Sequence, residues 1–138
     1  MRTINKMVAI EKARKVMVAN WGGRHFTNKL DEMFDLQKKF GSKFCAFGKL
    51  TIKEKERWTK EFIVALMDEG FETLNWTNHK HWKKPIYPIN EMELKYEMID
   101  MLHFLISLFL VWEMTSKDVF SMYIAKNREN HKRQKRGY

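Results

Sequence analysis

An apolar run, MIDMLHFLISLFLVW at residues 98–112, constrains the fold more than any other part of the sequence. It is interrupted by Asp100 and His103, and it falls short of the roughly 18 apolar residues that a membrane span needs. A helix that is apolar on every side is normally buried inside a protein. The run therefore predicts a buried helix of a folded domain and not a membrane segment.

The other ordered segments also follow helical periodicity, and none has the alternation of a strand. With only two Pro and six Gly in 138 residues, the composition favours helices. Five helices are predicted, over residues 3–19, 28–40, 51–76, 90–113 and from 115 into the basic end. Thr51 with Glu54, and Asn90 with Glu93, have the spacing of helix-capping pairs. We expect one all-α domain over residues 1–138, in which residues 1–25 form an extra helix of unknown role.

Composition excludes several classes of protein. Cys45 is the only cysteine, which rules out an intrachain disulfide or a thiolate zinc cluster and favours a reducing cytoplasm. The amino-terminal segment has no signal-peptide core, since Glu11, Lys12 and Arg14 interrupt its apolar positions. The net charge of +9 is compatible with nucleic acid, a membrane surface or a phosphate ligand.

Acidic residues continue the apolar stripe of the third helix. Seven residues along a helix return to within about 20° of the same direction. Glu69 therefore lies under Phe62 and Glu72 lies under Ala65, and the two acids are neighbours at i, i+3.

The fourth helix repeats this arrangement with Glu97 and Asp100, which point in the directions of Phe104 and Ser107. Since this helix is apolar all round, we expect both acids to have little contact with water. Uncompensated buried carboxylates cost several kcal/mol or become neutral, and four of them repel one another. A divalent cation that prefers oxygen ligands, such as Mg²⁺, would compensate them. The alternative is that each pair bonds to a basic residue such as Lys53, Arg57 or Lys80.

The basic end carries Lys126, Asn130 and Arg133 at helical spacings of four and three, which places them on one face. An ammonium, an amide and a guanidinium together suit a polyphosphate bridged to the same magnesium ion. The terminal Tyr138 would stack on a ligand, hydrogen-bond to it, or only pack. The alternative for this face is a solvated helix or a nucleic-acid tail.

Four segments carry a resemblance to a known family: ALMDEGFETLNW, KHWKK, KYEMIDMLHF and the ending YIAKNRENHKRQKRGY. From about residue 62 onward, the chain resembles the dimeric all-α dUTPase family and its phage dCTPase/dUTPase relatives, within the all-α nucleoside triphosphate pyrophosphohydrolases. The ending, with its pattern Y-x-x-K-N-x-x-N-x-x-R-Q-x-x-G-Y, is the more specific part of the match.

The resemblance implies an all-α four-helix core and a homodimer. It also implies Mg²⁺-dependent hydrolysis of a pyrimidine deoxynucleoside triphosphate to the monophosphate and pyrophosphate, and an origin in a phage. We expect dUTP first and dCTP second. The implied metal ligands are Glu69, Glu72, Glu97 and Asp100, with Glu72 as the catalytic base, and the implied phosphate ligands are Lys126, Asn130, Arg133 and Tyr138. Gln37 matches a base-binding position, but Gly41 stands where the family often has Asn, so base selection would need other groups.

Two other classes of function remain open from the sequence. A basic helical nucleic-acid-binding protein accounts for the charge but gives the acids no purpose. A non-catalytic interaction protein would keep the fold without metal binding or turnover.

Overall fold

The computed structural model describes residues 2–19 and 29–137, with side chains over 4–12 and 29–137. It contains five helices: α1 (Arg2–Ala19), α2 (Lys29–Gly41), α3 (Ile52–Asn75), α4 (Glu91–Val111) and α5 (Ser116–Arg136). No strand occurs in those described ranges, and the predicted all-α class is confirmed. The predicted end of the first helix at residue 19 agrees with α1, and the predicted start of the second at Asn28 lies outside the described residues.

The helices begin where side chains satisfy their first backbone N–H groups. At α3, the Thr51 amide donates to Glu54 Oε2 (2.7 Å), and the Glu54 amide donates to Thr51 Oγ1 (3.3 Å). At α4, the Glu93 amide donates to Asn90 Oδ1 (3.2 Å). Thr115 and Asp118 form the same reciprocal pair at α5. These bonds explain why the predicted starts of α3, α4 and α5 agree with the structure to within one residue.

The chain divides into two compact units, and each takes two separate stretches of sequence. The first unit comprises Met1–Thr27 and Glu61–Leu105, and the second comprises Asn28–Lys60 and Ile106–Tyr138. The prediction of a single domain over residues 1–138 stays a prediction.

In the first unit, α3 packs against α4. The rings of Phe62 and Phe104 lie 6.2 Å apart, and Thr73 Oγ1 lies 3.7 Å from the sulfur of Met101. These contacts hold the two helices side by side along the stretch that carries the acidic residues.

In the second unit, α2 packs on the last turns of α4 and on α5. Phe34 stacks on Phe109, with ring centroids 6.3 Å apart and planes 4° from parallel. Ser107 lies in the buried part of this unit and accepts a hydrogen bond from Gln37 Nε2 at 2.9 Å. The buried apolar residues here are Phe34, Cys45, Ile106, Leu110 and Val111.

No single helix in the described part of the chain has both the length and the apolar character to cross a membrane; α4 and α5 meet that criterion only when counted together as a bent pair.

Candidate metal and nucleotide site

The structure brings together three of the four acids that the sequence singled out. Glu69 of α3 and Glu97 and Asp100 of α4 each offer a carboxylate oxygen, and these oxygens lie within 4.8 Å of one another. Ligands on opposite sides of one Mg²⁺ ion are about 4.2 Å apart, since each bond is about 2.1 Å. Adjacent ligands of an octahedral ion are closer, about 3.0 Å apart, so the three oxygens would have to move together to hold one such ion; carboxylate oxygen is the ligand type that it prefers.

Glu72 lies beside this group. Glu72 and the three acids line one open cavity of about 560 Å³, which we call the acidic cavity. Its eight lining residues are Lys6, Glu69, Glu72, Asn75, Trp76, Glu93, Glu97 and Asp100. Glu72 is not one of the three acids whose oxygens lie within 4.8 Å of one another. Its carboxylate thus faces the cavity without belonging to the tight group.

The pKa of Glu69 is raised above its usual value. Partial burial is the main cause, and the charges of Asp100, Glu72 and Glu97 act in the same direction. Among the described residues of this unit, no Lys or Arg forms an ion pair with any of the four acids. Among the described residues of this unit, nothing supports the alternative in which basic side chains neutralise these acids.

The expectation that Glu97 and Asp100 have little contact with water is wrong. Glu69, Glu97 and Asp100 are only half-buried, and Glu72 is exposed. The helical periodicity correctly placed the four acids on facing sides of the two helices, but they line an open cavity where the periodicity predicted burial among apolar side chains. His103 of the same apolar run is also exposed.

One wall of the acidic cavity was not foreseen from the sequence. Lys6 of α1 lines the cavity and forms an ion pair with Glu93, which is only 4% exposed. The Lys6 ammonium also lies 4.6 Å from the centre of the Tyr96 ring, a cation–π distance. The sequence of α1 has no motif that would have revealed this placement.

A second cavity adjoins the first and is basic. It has a volume of about 370 Å³, and its lining includes Lys80, Lys83 and Lys84 from the loop after α3. Asn75 and Trp76 line both cavities. An acidic and a basic cavity with a shared wall provide complementary surroundings for a cation and for an anion.

Three of the four predicted phosphate-binding residues lie on α5 in the second unit. Lys126 Nζ lies 3.2 Å from Glu129 Oε2, Arg133 also pairs with Glu129, and Asn130 is exposed. Tyr138 lies outside the described residues. The role of this face in phosphate binding stays a prediction.

The predicted base-binding residue, Gln37, is in the second unit and is 8% exposed. Its amide nitrogen donates a hydrogen bond to Ser107 Oγ. This bond fixes the side chain and leaves the amide oxygen to accept further hydrogen bonds. Base recognition by Gln37 also stays a prediction.

Comparison with known proteins identifies relatives. A family model described as dUTPase matches residues 29–117, a stretch that contains all four acids and Gln37. A protein named dCTP pyrophosphatase from Enterobacteria phage LZ5 is 36% identical over 70 residues, which cover 43% of this chain and 41% of that protein. Another of that name, from Enterobacteria phage T4, is 35% identical over 51 residues, 37% of this chain and 30% of that protein.

The matched segments thus span less than half the length of these two relatives. No solved structure matches the chain significantly. The family model nevertheless covers well over half of the chain, including α2, α3 and α4 in full. The chain belongs to the dUTPase family.

Proposed function

We propose that the protein hydrolyses a pyrimidine deoxynucleoside triphosphate to the monophosphate and pyrophosphate, with Mg²⁺ as the cofactor. The observation that carries this proposal is the group of three carboxylate oxygens within 4.8 Å, on two packed helices of a dUTPase family member. We expect dUTP to be the first substrate and dCTP the second. The phage relatives named for dCTP support keeping both bases in the test.

In this proposal Glu69, Glu97 and Asp100 hold the metal ion, and Glu72 is the fourth acid of the site. Mg²⁺ binds to oxygen ligands and commonly keeps several waters and substrate phosphates, which suits an open cavity better than a closed one. When bound, the ion supplies charge neutralisation at the phosphate oxygens and makes a nearby water more acidic.

Glu72 is proposed as the general base. It faces the acidic cavity, is exposed to solvent, and lies outside the tight group of three acids. A carboxylate that is not fully used by metal can accept the proton of an attacking water. Removing such a base usually slows a reaction by roughly 10²–10⁴-fold.

The remaining roles follow the family resemblance. Lys126, Asn130, Arg133 and Tyr138 are proposed to bind the phosphate chain, and Gln37 is proposed to bind the base. Lys126 and Arg133 would exchange their ion pairs with Glu129 for contacts with phosphate, a change between exposed partners that costs little.

A homodimer is part of the proposal. Val64, Met67 and Phe71 lie on one face of α3 and are 58%, 53% and 58% exposed. Such a row of large apolar side chains is unfavourable in water and typical of an interface, and a second copy of the chain would cover it. Light scattering after size-exclusion chromatography should give twice the chain mass of 16.8 kDa.

The deciding experiment is a panel of all common deoxynucleoside triphosphates, with and without Mg²⁺, in which monophosphate and pyrophosphate are measured. We expect Mg²⁺-dependent release of both products from dUTP or dCTP. Glu69→Gln and Asp100→Asn should abolish turnover with the far-ultraviolet circular dichroism intact. Glu61→Gln, an exposed acid two turns earlier on α3, is the matched control and should keep the wild-type rate. Full activity of the first two variants would overturn the assignment of the site.

A further inference from the structure

We propose that Lys6 of α1 is a further substrate-binding residue, whose ammonium binds the phosphate chain of the nucleotide in the acidic cavity. This proposal rests on the proposed function, because it names an additional contact for the same substrate. Lys6 lies outside residues 29–117, the stretch that the family model matches.

The position of Lys6 supports this role. Among the described residues that line the acidic cavity, Lys6 is the one cation, and five of the other seven are carboxylic acids. A cavity with that charge attracts a metal ion but repels a free triphosphate. A positive charge on its wall reduces this repulsion at the place where the metal and the phosphates must meet.

The surroundings of Lys6 hold its ammonium in place. The buried Glu93 carboxylate accepts a charge-assisted bond from it, and the Tyr96 ring lies beneath it at 4.6 Å. An ammonium has three N–H donors, so those not used by Glu93 remain for a phosphate oxygen. Because the side chain is already positioned, less conformational entropy is lost when the nucleotide binds.

Lys6→Met tests the proposal through binding as well as turnover. The probes are α,β-imido-dUTP with Mg²⁺, which is not hydrolysed, and Mn²⁺ alone, both followed by calorimetry. We expect Lys6→Met to weaken binding of the nucleotide analogue roughly ten- to hundred-fold, the effect of losing one charged hydrogen bond. The affinity for Mn²⁺ alone should be unchanged or higher, since a positive charge has been removed from the cavity.

Three further variants separate binding from folding. Lys6→Arg keeps the charge and should keep most of the affinity. Lys12→Met removes an exposed lysine from the same helix and should change nothing. The double variant Lys6→Met/Glu93→Gln removes both members of the ion pair, and with them the buried Glu93 charge, and should lose as much analogue affinity as Lys6→Met.

The proposal is overturned if Lys6→Met lowers thermal stability but binds the analogue like wild type. It is also overturned if the variant loses Mn²⁺ and analogue affinity equally, because Lys6 would then only support the cavity. Failure of the proposed function has a different signature: wild-type protein would neither hydrolyse dUTP or dCTP nor bind the analogue, and the role of Lys6 would fall with it.

Discussion

Neutralising Glu69 should make the metal-free protein more stable. The carboxylate oxygens of Glu69, Glu97 and Asp100 lie within 4.8 Å of one another, and no described basic residue of this unit pairs with them. At 4.8 Å two unit charges repel by about 1 kcal/mol in water-like surroundings and by about 3.5 kcal/mol at an effective dielectric constant near 20. Glu69→Gln removes two such repulsions while keeping the size of the side chain.

The lower figure is the relevant one, because the cavity is open and Glu69 is only half-buried. We therefore expect Glu69→Gln to raise the free energy of unfolding by about 1–2 kcal/mol without metal, or about 3–6 °C in Tm for a chain of this size. With Mg²⁺ present, wild type should instead be more stable than Glu69→Gln, since a ligand at one hundred times its Kd stabilises the native state by about 2.7 kcal/mol. The variant, with one ligand fewer, should gain much less.

Urea unfolding followed by circular dichroism measures both effects, first in EDTA at low salt and then in saturating Mg²⁺. Glu61→Gln serves as the control and should change neither value. High salt should shrink the difference between the variant and wild type in EDTA, since a Debye length of about 3 Å at 1 M screens charges in an open cavity. The reasoning is refuted if Glu69→Gln is less stable than wild type in EDTA, or if Mg²⁺ stabilises both proteins equally.

Three further predictions concern pH and packing. Burial and the neighbouring carboxylates raise the pKa of Glu69 above its ordinary value of 4.5. The metal-free protein therefore loses stability as pH rises through that raised pKa and the Glu69 carboxyl group becomes charged. In EDTA the stability gap between Glu69→Gln and wild type should therefore be near zero well below pH 4.5 and widen toward neutrality; a gap that is constant with pH would contradict this. A Cβ at Gly41 would lie 2.5 Å from Phe47 Cε2, so Gly41→Ala should destabilise by about 1–3 kcal/mol in urea unfolding. A Cβ at Gly70 would make an ordinary contact with Met101 Cε at 3.7 Å, so Gly70→Ala should stabilise α3 by about 0.5–1 kcal/mol, and the opposite sign for either glycine would refute the packing argument.

The sequence predicted what local rules decide. Helix α3 begins beside Thr51 because its hydroxyl and the Glu54 carboxylate satisfy two backbone N–H groups, an arrangement encoded within four residues. The i, i+3 spacing likewise made Glu97 and Asp100 neighbours, and their oxygens do lie close together.

Long-range placement could not be predicted in the same way. The pairing of Lys6 with Glu93 joins residues 87 positions apart, and no periodicity in α1 selects Lys6 over Lys12. The Gln37–Ser107 hydrogen bond spans 70 positions and likewise has no local signal. These contacts depend on how the helices pack, which a single sequence specifies only through its whole pattern of burial.

The one wrong expectation about the acids bears on the proposed chemistry. If the four carboxylates were fully buried without a cation, several would have to be protonated, and neutral carboxyl groups are poor metal ligands. In the open cavity three of them are half-buried and Glu72 is exposed, so water can reach all four while no cation is bound. An ion and a charged nucleotide can also enter without unfolding either helix. Partial exposure therefore weakens the argument from burial that first pointed to a metal, but it leaves a site that water, an ion and a nucleotide can reach.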